Sequence, residues 1–167
     1  LAESFRYNRL TGTGAVPIGL VDGDSYTFEA HRSPSLSLDD VVGQALEAQS
    51  QPGASGVPEE LASFAGQTVE DVDDPLARVE KLRKTLAEGY YSDGGRTETP
   101  SLAGHGARRL AEMFQADSFV GNDEQYAAAA ALALRVLNVP SRVVIGFVVS
   151  DKHPGEIKGG DVKAWVE

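Results

Sequence analysis

No cysteine occurs among the 167 residues, and its absence removes several chemistries at once. There is no disulfide framework, no thiolate zinc site and no thiol nucleophile. Long apolar runs are missing too: nothing approaches the ~20 residues needed to span a bilayer. The start at Leu1 lacks a signal-peptide pattern, and the chain reads as a piece of something longer. Basic residues are scarce, 15 against 25 acidic, for a net charge of −10. Such a balance argues against a nucleic-acid surface and against electrostatic docking on an anionic leaflet. Internal repeats and low-complexity tracts are absent apart from one run of alanines. What is present, 41% apolar and 24% charged residues, is the composition of a globular domain.

The first thirty-five residues read as a small β segment. Val16–Val21 and Ser25–His31 are rich in β-branched and aromatic residues, and Asp22-Gly23-Asp24 between them has the composition of a hairpin turn. Residues 36–167 form the second part. Leu38, Val41, Val42, Ala45 and Leu46 repeat at helical spacing, and Ser50–Pro58 is a loop by its Gly, Pro and Ser content. Pro58 suits the first helical position of a short helix near Glu59–Ala65, with Glu59 and Glu60 at the positive end of its dipole. Asp74-Pro75 opens a stronger helix with Leu76, Val79, Leu82 and Leu86 on one face and Lys81, Arg83 and Lys84 outside. Tyr90-Tyr91 and the polar stretch behind them read as a loop, and "HGARRLAEMFQ" as another helix.

The best helix of the chain covers 123–138. Ala127–Ala131 and Ala133 are strong helix formers that permit close packing, Asp123 and Glu124 lie in the first turn, and Asn138 with Pro140 ends it. Arg142–Val149 is a nearly continuous apolar run, expected as an interior strand. The stretch "HPGEIKGG" turns the chain into a second strand, "DVKAWVE".

These segments carry a specific resemblance. "Gly121-Asn122-Asp123-Glu124-Gln125-Tyr126-Ala127" resembles the Gly-x-Cys-Glu-x-aromatic-Ala start of the central helix in the transglutaminase-like superfamily, everywhere but at the cysteine. Leu134–Phe147 matches the "Leu-Arg-x-Leu-Gly-x-Pro-Ala-Arg-Val-Val-x-Gly-aromatic" pattern that follows, and Lys163–Glu167 the His-Ala-Trp-Val-Glu strand. The resemblance covers about residues 55–167. It implies an α+β fold: a papain-like transglutaminase core, its central helix packed on an antiparallel sheet, with the β segment in front.

The departures bear on function. The family's catalysis needs a thiolate at the helix start, a histidine on the neighbouring strand, and an aspartate from the next strand to orient it. Here Asp123 stands at the cysteine position and Lys163 at the histidine position, and the chain ends before the strand that would carry the third group. Cysteine-dependent transamidation or peptide hydrolysis is therefore impossible at this site, and no catalytic residue is expected there. A resting thiolate–imidazolium pair nevertheless carries one negative and one positive charge, and Asp123 and Lys163 preserve both signs. They are expected either to form an ion pair at the bottom of the old cleft or to separate, Asp123 capping its helix and Lys163 meeting solvent; capping and pairing are compatible.

The expected function is a non-catalytic, pseudoenzyme domain whose cleft binds a peptide, a cell-wall glycan or a partner protein. Its binding residues would be Asp123, Lys163, Trp165, Glu124 and His105. The resemblance implies a place on the extracytoplasmic face of a bacterial membrane, with any anchor in segments outside this chain. Two other classes stay open: a hydrolase using Asp123, though a carboxylate held by an ammonium is a weaker base than a free one, and a structural spacer in a cell-surface assembly. No metal or cofactor is expected. His31, His105 and His153 lack ligand spacing, Asp71, Asp73 and Asp74 lack that of a calcium loop, and Gly12 and Gly14 do not open a helix as a phosphate loop must. Ser101 lies close to His105 without the marks of a catalytic pair, and Arg108-Arg109 reads as a solvated helix face or an anion contact.

Overall fold

The computed structural model describes residues 4–9, 13–19, 21–25, 27, 29, 53–116, 118–148 and 157–167. Two compact units divide the chain, residues 1–35 and 36–167.

In the first unit, β1 (Arg6–Asn8) and β2 (Thr13–Ala15) pair antiparallel, Tyr7 opposite Gly14. At Gly14 the Phe5 ring lies close over the backbone, where a Cβ would stand 2.7 Å from it and push the exposed ring aside. The strand expected at Val16–Val21 does not form. Val16 opens a turn closed by the Gly19 amide on its carbonyl, 2.8 Å, with Gly19 at φ 80°. Asp22-Gly23 does turn, but Ser25, Thr27 and Glu29 are not in a strand; the rest of that run lies outside the described residues. So does the helix expected over Leu38–Leu46.

The second unit carries the core. Helix α1 (Glu59–Thr68) runs three residues past its expected end, with Pro58 in the extended N-cap position rather than at the first helical one. Helix α2 (Pro75–Ala87) begins where Asp74-Pro75 predicts. The Asp74 carboxylate accepts from the Ala77 amide at 2.7 Å and Pro75 occupies the first turn, where no amide is needed. Its outer cations are satisfied at the surface, Lys81 by Asp71, Arg83 and Lys84 by Glu80. Helix α3 (Ala107–Gln115) and helix α4 (Asp123–Val136) complete the helical layer.

Helix α4 is the centre. Ala127, Ala128, Ala129, Ala131, Ala133 and Leu134 are buried, and the small side chains let α1, α2 and a β-hairpin close on the helix from different sides. Leu61, Ala65, Leu82, Leu86 and Leu110 fill the core around it. Phe64, Phe114 and Phe119 pack as a ring cluster with centroids 4.7–5.0 Å apart, joining α1, α3 and the approach to α4. Asn138, at φ 59°, takes the left-handed position that ends the helix.

Two small sheets flank this layer. Tyr90-Tyr91, expected as loop, is a short strand β3, parallel to β4 (Val120–Gly121). Strands β5 (Val143–Phe147) and β6 (Val162–Val166) pair antiparallel, with Gly146 opposite Lys163 and Val144 opposite Trp165. The expectation that β5 is interior fails: Val143, Ile145 and Phe147 are 43%, 71% and 56% exposed. The apolar run counts hydrophobic residues but not neighbours, and β6, not β5, makes most of the contact with α4.

Candidate functional site

The start of α4 gathers the candidate residues because three local features hold it in place. Asn122 is its N-cap, the side-chain oxygen accepting from the Glu124 and Gln125 amides at 3.1 and 3.4 Å. The Gln125 carboxamide oxygen returns the bond to the Asn122 amide at 2.8 Å, completing a capping box. The fully buried Gln125 then donates to the Leu102 and Gly104 carbonyls at 3.2 and 2.9 Å, hanging the 101–106 loop on the helix. Asp123 is therefore not the cap. It is the first helical residue, and its carboxylate is free to meet another partner.

That partner is Lys163. Its Nζ lies 3.1 Å from Asp123 Oδ2, with the two side chains 41% and 30% exposed. The β5–β6 register delivers Lys163 opposite Gly146, and the α4–β6 contact brings strand to helix. Tyr91 completes the cluster, with Lys163 Nζ 5.8 Å from its ring centroid. It gets there through the β3–β4 pairing, in which the Ser92 amide donates to the Gly121 carbonyl at 2.9 Å, one residue from the N-cap. The hydrogen bond and charge of Asp123 raise the pKa of Lys163 above the ordinary 10.5. Loss of water and the Asp123 charge likewise raise the Tyr91 phenol.

Beside the pair opens a cavity of about 550 Å³ between α2, α4 and β6. Leu82, Leu86, Ala127 and Ala130 supply an apolar wall, and Tyr91, Tyr126 and Trp165 supply aromatic rings. Trp165 also fills the space above Gly146, where a Cβ would stand 2.8 Å from the indole, and donates Nε1–H to Glu167 at 3.1 Å.

The five predicted binding residues thus divide. Asp123 and Trp165 line the groove, and Lys163 meets Asp123 beside it. Glu124 and His105 form a neighbouring pair, His105 Nδ1 2.5 Å from Glu124 Oε1, and neither lines the cavity. Ser101 is not paired with His105; its hydroxyl accepts from Arg109 at 3.1 Å. Arg109 is half-buried rather than on a fully solvated face, and its guanidinium also donates to the Leu102 and Val120 carbonyls at 2.9 and 2.7 Å. Arg108 does stay on the outer face, paired with Glu112. Tyr91 and Gln125 escaped the sequence reading. A doubled tyrosine after a helix carries a weak strand signal, and nothing local tells a buried glutamine from an exposed one. No cluster of metal-ligating side chains exists among the described residues.

A central helix packed on an antiparallel hairpin that aims one side chain at the helix's first turn is an α+β arrangement. The profile of the transglutaminase-like superfamily matches residues 62–167, and the chain belongs to that family. Among solved structures it is similar to the periplasmic domain of TgpA from Pseudomonas aeruginosa bound to ethylmercury, with a TM-score of 0.52 and 23% identity. That likeness, one of fold, extends over 70% of this chain and 41% of the other, so the chain spans well under half of that structure. No curated protein matches it.

Proposed function

We propose that this is a non-catalytic transglutaminase-like domain whose groove binds a peptide, glycan or protein partner on the extracytoplasmic side of a bacterial membrane. One observation carries the reading: where the family places nucleophile and base, a carboxylate and an ammonium sit 3.1 Å apart beside an open, mostly apolar cavity. A protonated lysine cannot accept a proton, and a carboxylate engaged with it is a poor nucleophile. The charges of the resting catalytic pair persist without its chemistry, beside a cavity of the size that takes ligands. The location is supported by the periplasmic origin of the similar solved domain. A membrane anchor would lie outside this chain; among the described residues no helix is long and apolar enough to cross a membrane.

The test has two arms. The purified chain is incubated with an ester, an amide, and a glutamine peptide plus an amine, and it is screened on peptide and cell-wall glycan arrays. The expected result is no turnover above buffer, with array binding that disappears in the Asp123→Ala/Lys163→Ala double variant. Turnover abolished by Asp123→Ala would make the domain a hydrolase instead. Absence of array binding, or binding indifferent to the double substitution, would leave it a structural spacer.

A further inference from the structure

At the edge of the groove one lining residue, Asp123, already holds an ammonium group: that of Lys163. It meets the Asp123 carboxylate at 3.1 Å and lies 5.8 Å from the centre of the Tyr91 ring. A carboxylate and an aromatic face are the two partners an organic cation seeks when it leaves water, the one by charge and the other by its ring quadrupole. Beyond this point the cavity continues past Tyr126 and Trp165 along the apolar wall of α4. The other charged groups on its wall are already engaged, Arg83 with Glu80 and Glu167 with Arg142. Asp123 is therefore the carboxylate whose partner can leave, because Lys163 is half in solvent on a flexible four-carbon stem.

We propose that the groove is a site for an organic ammonium ion, which displaces Lys163 from the Asp123 carboxylate at its edge. The inference rests on the reading of the groove as a binding site and names the chemical group recognised there. On displacement the ligand's cation takes Asp123 and the Tyr91 ring, and Lys163 turns to water. The alkyl body lies against Leu82, Leu86, Ala127 and Ala130. From Asp123 to Leu134 the helix runs about 16 Å at its standard rise, so an elongated alkylammonium fits better than a compact one. An anion of the same shape meets Asp123 head on and is refused.

Trp165 is the sole tryptophan and lines the cavity, which makes its fluorescence a reporter of occupancy. The experiment titrates the chain with hexyltrimethylammonium and, separately, with hexanoate. The cation is expected to give a saturable change and hexanoate none. Lys163→Met, which keeps the stem and removes the competing charge, is expected to bind the cation at least about tenfold more tightly, and Asp123→Asn at least about tenfold more weakly. Equal binding of hexanoate, or no gain in Lys163→Met, overturns the proposal. Should a variant lose its circular dichroism spectrum, the cation–anion contrast on the unmodified chain decides. Array ligands that need Asp123, together with indifference to the cation, would remove this inference and leave the groove reading standing. Failure of every ligand would remove both.

Discussion

At the scale of single residues, adjacent Asn122 and Asp123 do different work. Asn122 satisfies two orphan amides of α4, whereas Asp123 reaches across to Lys163. Asn122→Ala should cost about 1 kcal/mol, the usual value of an N-cap. Asp123→Ala should cost less, and urea unfolding of the two variants measures the difference. The raised pKa of Lys163 fixes a sign. Because the folded value exceeds the unfolded one, the ion pair's contribution is complete below the ordinary lysine pKa of 10.5 and is lost as pH rises through the higher folded value. Removing the carboxylate should return Lys163 to ordinary reactivity. In Asp123→Asn, acetylation of Lys163 at about pH 9 should be faster than in the parent, as followed by peptide mass spectrometry.

At the scale of elements, the short β3–β4 pair has an effect out of proportion to its length. It places Tyr91 beside the helix start, and it depends on Gly89, where a Cβ would stand 2.1 Å from the Tyr126 hydroxyl and 3.0 Å from the Phe119 carbonyl. That hydroxyl donates to the Phe119 and Tyr90 carbonyls at 3.0 and 3.2 Å. Gly89→Ala should therefore destabilise by about 1–3 kcal/mol, as overpacking does, and should shift the Tyr91 resonances in an NMR spectrum. The 101–106 loop behaves similarly. Gln125→Ala leaves the Gly104 carbonyl and the Asn122 amide without their side-chain partner, while the Leu102 carbonyl keeps its bond from Arg109, a cost of about 1 kcal/mol for such half-buried groups. Amide exchange in that loop should accelerate before the rest of the unit opens.

At the scale of the whole molecule, the buried cluster and the groove both lie in residues 36–167. Strand β1 of the first unit is exposed along its three residues, and so short a hairpin contributes little core of its own. A fragment comprising 36–167 should consequently unfold in one cooperative calorimetric transition. Within it, Leu61→Ala, at a side chain with no exposure, should cost about 2–5 kcal/mol. Scattered transitions in the fragment, or an unchanged midpoint in Leu61→Ala, would move the core elsewhere.

The sequence by itself determined the described helices of the second unit, the family, and the absence of a cysteine at the start of the central helix. Helical periodicity, Asp74-Pro75, the alanine run and Asn138 all act over a few residues, so their outcome is written locally. Asp123 and Lys163 could be aligned on a known motif without coordinates. Only the tertiary structure decided that Asn122 takes the cap, that Asp123 meets Lys163 across 40 positions of chain, and that Tyr91 joins them. It also left β5 exposed and made half-buried Arg109 a staple on two backbone carbonyls. These outcomes depend on which distant backbone or side chain arrives beside each residue. A pattern read along the chain records a residue's own preferences, while burial and pairing belong to its neighbours.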